Sequence, residues 1–485
     1  MQIIARLPYP VTRPRRLAVA SEVATMDLVR GSGVPVPKVF DYSADANNSV
    51  GAEYIIMEKL SGRPLGDVWF TMSEEARVQV LSAVVDCEAK LSSIELPASG
   101  SVYYDDDLPR AMHRERIPYD GRRSKTLCIG PDVSLPFWYE ERETMNIHRG
   151  PCKSCVLMSR TMWAHEFSGD TPEGVLLSAA AKEMAWLRSY AKPRMPFERA
   201  YCDTNDYQKS EPREHMQNLE RFTQVAPYLV PSDHWLCKPT LRHADFHPNN
   251  IFISDNQEVI GIIDWQHCKA LPLFLQAGIP KYFQNYGDPE SEALVKPELP
   301  ADFEQMDEDN QEAESEQYRR RHVHFHYMDA TAKKHESHFH ALMYDPELFR
   351  RKLYEHAAAP WEGNNVPLKR DLIDLTKHWE DIVGDRKPTS EAPHSCPLSF
   401  EEEEVEKCME AAWKQDQADT QVHIVQSLVG VGSDGWVSNE KYAEAKAEAD
   451  RIKAKAWEDA EDDTERMEIE KFWIFDDFDE KGSVR

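Results

Sequence analysis

Leu241-Arg242-His243-Ala244-Asp245-Phe246-His247-Pro248-Asn249-Asn250-Ile251-Phe252-Ile253-Ser254 runs through Asp255-Asn256-Gln257-Glu258 into Val259-Ile260-Gly261-Ile262-Ile263-Asp264-Trp265. The two short β-branched runs flank a turn at Asp255-Asn256-Gln257, so Ile251 to Ser254 and Val259 to Ile263 are expected to form a β-hairpin. A hairpin folds its ends together. Asn250 and Asp264 therefore come side by side although far apart in the chain, and Asp245 lies in the loop just before them. Two carboxylates and one amide carbonyl then converge on one point.

That set suits magnesium-dependent phosphoryl transfer. Mg²⁺ takes hard oxygen ligands and leaves room for waters and phosphate oxygens. A separate carboxylate has to orient the attacking hydroxyl and accept its proton. The expected assignment is Asn250 and Asp264 to the metal and Asp245 to the hydroxyl. A lone Asp-x-x-x-x-Asn is common by chance; the weight lies in the combination of His243-x-Asp245-x-x-x-x-Asn250, a hairpin and Ile263-Asp264-Trp265.

The stretch resembles the catalytic loop and metal motif of the aminoglycoside phosphotransferase family, relatives of the protein kinases. His243, Asp245 and Asn250 match the kinase His-Arg-Asp…Asn loop, and Asp264 matches the Asp of Asp-Phe-Gly. Trp265 stands in place of that Phe. The wider sequence is similar to the fungal "altered inheritance of mitochondria" branch. The resemblance implies an α+β, protein-kinase-like, two-lobed fold with a small β-rich N-lobe and a large, mainly helical C-lobe. It also implies ATP and Mg²⁺ as cofactors, a small polar hydroxyl-bearing acceptor, and a mitochondrial location. His243 would brace the loop rather than do chemistry.

Upstream, Gln2 to Leu7 reads as a strand stopped by Pro8 and Pro10, and Leu17 to Val29 as a helix. Arg6 and Glu22 are the candidates for the strand-to-helix ion pair that holds nucleotide phosphates in such folds. A guanidinium there is not a neutral replacement for an ammonium. Val34 to Val39 is a proline-stiffened entry to a strand. Tyr54 to Met57 is a further strand, and Glu58 to Leu60 with Gly62 resembles the hinge between lobes. Backbone groups around Met57, Glu58 and Leu60 would meet the adenine edge. In the family, two strands and a phosphate-covering turn precede the strand of Arg6. The N-lobe, residues 1–59, is therefore expected to be truncated. The Gly-x-Gly-x-x-Gly at Gly430, Gly432 and Gly435 follows a helical pattern and reads as a helix-ending loop. A kinase-like scaffold that binds partners at mitochondria without catalysis is the second expectation, drawn from the missing phosphate cover and from Arg6.

Residues 60–485 are assigned to the C-lobe, with the catalytic loop at 241–265, an irregular insertion at 97–170 rich in Pro, Gly and Tyr, and a helical extension at 313–485. Ser73 is expected to cap a helix through Leu91, Pro172 to open another, and a third to span 212–223. Residues 437–471 read as one long charged helix. His322 and His326 share a helix face and with His324, His335, His338 and His340 make a visible cluster, read as exposed side chains on a helix. Cys152-Lys153-Ser154-Cys155 lacks the second pair that a zinc site needs.

Bulk properties narrow the classes. The 485 residues are 41% hydrophobic with a net charge of −28, which argues against nucleic acid as partner, because phosphates call for a basic surface. No apolar run reaches the length of a membrane helix. Nine irregularly spaced cysteines fit a reducing compartment rather than a disulfide framework.

Overall fold

Ile3–Arg6 (β1) pairs antiparallel with Tyr54–Glu58 (β3), which pairs on its other side with Val39–Ser43 (β2). The register sets Arg6 opposite Ile55. Helix α1 (Arg15–Gly31) packs beneath, buried without a break from Leu17 to Met26. Its Val19, Val23, Met26, Leu28 and Val29 share a core with Ile55. A helix apolar over most of its circumference is a buried helix, and only Ser21, Glu22 and Thr25 bring polar groups into that stretch.

The computed structural model describes residues 2–9, 11–118, 125–153, 171–383, 395–431, 437 and 441–476. It divides into two units. One comprises Met1–Lys182, Ala226–Tyr354 and Asp381–Ser390; the other comprises Glu183–Val225, Glu355–Glu380 and Glu391–Arg485. The expected hairpin is present in the first unit. Ile251–Ile253 pairs with Val259–Ile262, and Gln257 takes a left-handed φ of 62° at the turn. Arg63–Pro64 adds a third strand to it. Gly62 is required there, since a Cβ would lie 2.1 Å from the Ile253 carbonyl oxygen.

The stretch expected to be irregular, 97–170, carries a sheet as far as it is described. Ser101–Tyr104 pairs with Leu127–Gly130, which pairs with Glu115–Arg116. All eight residues of the first two strands are buried. Strands buried on both faces show no alternation, and four-residue strands separated by Pro, Gly and Tyr look like loop in sequence. Gly100 has φ 143° and exchanges both backbone hydrogen bonds with Ala270, at 2.9 and 2.8 Å. This joins the sheet to the chain just after the hairpin. Cys152 is buried in a two-residue strand; Ser154 and Cys155 lie outside the described residues.

Helix Glu74–Ser92 is capped as expected, the Ser73 hydroxyl accepting from the Ala76 N–H at 3.3 Å. Pro172–Tyr190 and Pro212–Leu229 are helices, the second running one and a half turns past the expected end. In Glu308–Lys334 and Glu336–Leu342 the histidines correct the expectation of exposed side chains. His322, His324, His335 and His338 are buried. Among the described residues no group of three or more His, Cys, Asp or Glu is placed to hold a metal.

Burial lowers the pKa of His335 to about 4, helped by the nearby Arg242 charge. Neither of its ring nitrogens has a hydrogen-bond partner. A group with a depressed folded pKa contributes stability above its unfolded value, near 6.5 for His, and that stability is lost as pH falls towards about 4. His335→Phe keeps a ring in the site and is expected to flatten the decline of urea stability between those pH values. An unchanged pH slope would show that His335 does not titrate on unfolding.

In the second unit Glu402–Val429 ends at Gly430 in the left-handed region, φ 76°, with the Val431 N–H bonded to the Gln426 carbonyl at 2.9 Å. This is the helix-ending role expected of Gly430; Gly432 and Gly435 lie outside the described residues. The long helix expected at 437–471 is two helices, Tyr442–Asp459 and Asp463–Phe472. Asp462 breaks it by accepting the Glu465 N–H at 2.9 Å, while the Glu465 carboxylate accepts the Glu461 N–H at 2.7 Å. That reciprocal cap was present in the sequence and outweighs the charge periodicity. No described helix is long and apolar enough to cross a membrane.

Candidate functional site

The hairpin brings its ends together as the sequence required. Ile251 faces Ile262, and the Ile263 N–H donates to the Asn250 carbonyl at 2.9 Å. The Asn250 side chain is buried, and its Nδ2 donates to the Asp245 carbonyl oxygen at 2.9 Å. Its own Oδ1 is thereby left as the end that can meet a cation.

His243 closes the loop from behind. Its Nδ1 accepts the Asp245 N–H at 3.2 Å, so in the neutral ring Nε2 carries the hydrogen and donates to the Ile263 carbonyl at 2.9 Å. Burial lowers its pKa and keeps it neutral. Trp265, fully buried, sets its ring edge-on to His243 at 4.7 Å and donates Nε1–H to the Ile262 carbonyl at 2.9 Å. The residues on either side of Asp264 are thus anchored, and Asp264 itself is held with φ 62°. Asp tolerates that region better than most side chains.

Arg6 and Glu22 meet. One arm of the guanidinium is ion-paired with Glu22; the other donates to Asp264 Oδ1 at 2.7 Å and to Gln266 Oε1 at 2.7 Å. Burial pushes the Glu22 carboxyl up to about 7, against the pull of Arg6. Burial works against the Arg6 charge, but Glu22 and Asp264 outweigh it and raise its pKa.

The expected hinge residues lie at the end of β3. Met57 is paired with Ile4 on one side and Val39 on the other. The Glu58 N–H donates to the Lys38 carbonyl at 2.9 Å and the Lys59 N–H to the Gln2 carbonyl at 3.2 Å. The Glu58 carboxylate accepts the Lys38 N–H at 3.2 Å. Leu60 lies over Gly261 of the hairpin, where a Cβ would fall 2.3 Å from its Cδ1.

Three neighbours escaped the sequence reading. His247 accepts the Asn249 N–H on Nδ1 at 3.2 Å, and its Nε2 lies 3.2 Å from Asp245 Oδ2. Gln266 touches Arg6, and His267 touches Gln266, Nε2 to Nε2, at 3.0 Å. The signal for His247 was available, two residues beyond Asp245. Nothing local distinguishes Gln266 and His267.

The model of the phosphotransferase enzyme family matches residues 4–146 and 164–274. A subtelomeric hrmA-associated cluster protein of Aspergillus fumigatus is 31% identical over 461 residues, covering 92% of this chain and 86% of that protein. Altered inheritance of mitochondria protein 9, mitochondrial, of Saccharomyces cerevisiae is 25% identical over 296 residues, covering 56% of this chain and 45% of that protein. Among solved structures, an apo thermostable mutant of an aminoglycoside phosphotransferase aligns over 80% of this chain and 88% of its own, at 13% identity and a TM-score of 0.28, too loose a likeness to carry residues across. The family match spans more than half of the sequence and takes in Arg6 and the whole hairpin; the chain is an α+β protein that belongs to the phosphotransferase enzyme family.

Proposed function

We propose that this protein moves the γ-phosphoryl group of ATP to a hydroxyl of a small polar molecule. The observation that carries the reading is the Arg6 guanidinium, which spans Glu22 and Asp264 and so links a strand at the start of the chain to the metal motif 258 positions later. Asp264 and Asn250 offer the hard oxygens that suit Mg²⁺; when bound, the ion would neutralise phosphate charge. Arg6 would hold nucleotide phosphate, kept in place by Glu22. The backbone around Met57, Glu58 and Leu60 would border the adenine. Asp245 would orient the acceptor hydroxyl and take its proton, with His243 bracing the loop. Part of this reading is a mitochondrial location, extended from the name of the Saccharomyces relative.

A second reading has its own observation. Arg6 already engages the carboxylate that the cation would need, and a chain in which that pair never opens would bind partners without catalysis. Calorimetry separates the two. Mg·ATP is expected to bind with micromolar affinity, to need Mg²⁺, and to lose at least tenfold in Asp264→Ala. A folded protein that takes up no nucleotide would end the catalytic reading and leave the binding protein.

A further inference from the structure

The segment 132–134, which follows the strand Leu127–Gly130, is clamped to the chain just after Asp264. Lys269 Nζ lies 3.2 Å from Ser134 Oγ and 3.7 Å from Asp132 Oδ2. Ser101 Oγ accepts the Val133 N–H at 3.1 Å and donates to the Cys268 carbonyl at 3.0 Å. Between these clamps the Val133 carbonyl accepts from His267 Nδ1 at 2.7 Å.

That bond decides a chain of orientations. With the hydrogen on Nδ1, the neutral ring presents a lone pair at Nε2, and burial lowers the pKa of His267, which favours the neutral form. The Gln266 amide donates Nε2–H to that lone pair at 3.0 Å. Its Oε1 must then face the other way, where it accepts from Arg6 Nη2 at 2.7 Å. The same Nη2 reaches Asp264 Oδ1. The inverted amide would set an NH₂ group against a guanidinium. His267 has φ 61°, a left-handed conformation that is uncommon outside glycine and is held here by the bonds on either side.

We propose that Gln266 and His267 are positioning residues for Arg6, a relay by which the sheet of residues 101–130 holds that cation in register with Asp264. The relay itself stands on geometry alone; its effect on nucleotide rests on the function proposed above.

The test uses Gln266→Leu, His267→Asn (Asn tolerates the left-handed backbone), Arg6→Met and Gln266→Glu, singly and combined. A hydrogen bond to a charged group is worth enough to move affinity about tenfold. Calorimetry with Mg·ATP should show about a tenfold loss in Gln266→Leu and in His267→Asn, and no further loss when either is added to Arg6→Met. Gln266→Glu accepts from Arg6 without guidance from His267, so the Gln266→Glu/His267→Asn pair should return to within about threefold of the parent. A merely structural role would not be rescued in this way. Wild-type affinity in Gln266→Leu, or losses that add fully to that of Arg6→Met, overturns the relay. Where the parent binds no nucleotide, the functional reading falls by itself, and the same variants in urea unfolding decide the relay. Non-additive destabilisation of Arg6 with Gln266 sustains it and additive destabilisation overturns it.

Discussion

Asp245→Asn is expected to leave Mg·ATP affinity within about twofold of the parent and to lower turnover of ATP by about 10²- to 10⁴-fold, the usual contribution of a positioned general base. The loop explains why the two effects part. The backbone of Asp245 is held at both ends, its N–H by His243 and its carbonyl by Asn250. Its carboxylate is the exposed part, at 67%. His247 Nε2 stands 3.2 Å from one carboxylate oxygen, and the neutral ring carries its hydrogen there because Nδ1 is already an acceptor for Asn249. The ring of His247 packs at 5.4 Å on Tyr282. One oxygen of Asp245 thus faces the His247 ring while the carboxylate as a whole stays open for a hydroxyl. Asparagine fits the same space and can keep the His247 contact, but it cannot take a proton. A variant that loses affinity and turnover in parallel would mean that Asp245 serves nucleotide or metal instead. Unchanged turnover would mean that it is not the base.

Which parts of this site could be read from sequence follows from how far apart its partners are. The hairpin is local: two β-branched runs, a turn, and ends that must meet. It delivered Asn250, Asp264 and Asp245 without any tertiary information. Arg6 and Glu22 are 16 positions apart, on a strand and the helix that follows it, and a resemblance sufficed to pair them. The supporting shell was not legible in the same way. His267 depends on a carbonyl 134 positions earlier, and the Cys268 carbonyl on a hydroxyl 167 positions earlier. No local periodicity encodes such pairs. The sheet that supplies them is built from strands of four residues or fewer whose existence is settled by long-range pairing. The histidines of Glu308–Lys334 failed for a related reason. Charged residues fill the start of that helix, and only its packing on Glu74–Ser92 and on Phe283 shows that one face from His322 to Thr331 is buried. The break at Asp462 differs: Asp462 and Glu465 stand at capping spacing inside a run of helix-forming residues, so the signal is local.

Removing one member of the Glu88–Arg242 pair is expected to destabilise the first unit by about 3–5 kcal/mol, because it strands a charge in the interior. Arg242 precedes His243 directly. Its side chain is 16% exposed and that of Glu88 6%. The two are ion-paired, and Arg242 also donates to the carbonyls of Gln276 at 2.8 Å and Gly278 at 2.6 Å. Glu88 accepts the Tyr327 hydroxyl at 2.6 Å, so helix Glu74–Ser92, helix Glu308–Lys334, the 276–278 segment and the start of the 243–250 loop meet on one ion pair. Glu88→Leu leaves the guanidinium with two neutral acceptors. Arg242→Met leaves a carboxylate with one hydroxyl. The double variant removes both charges and retains apolar volume, and its cost reduces to a Gln276 carbonyl without its donor and a Tyr327 hydroxyl without its acceptor, about 1–3 kcal/mol each, since the Gly278 carbonyl keeps His338 Nε2 at 3.3 Å. The double variant should therefore cost no more than the worse single, not the sum of the two, in the urea transition of that unit. Additive losses would show that the two side chains act independently, each through its own backbone or hydroxyl partner. The non-additive result would mean that the 243–250 loop is fixed at its root by a buried charge pair, and it would explain why a loop whose Asp245 carboxylate is exposed can still hold one orientation.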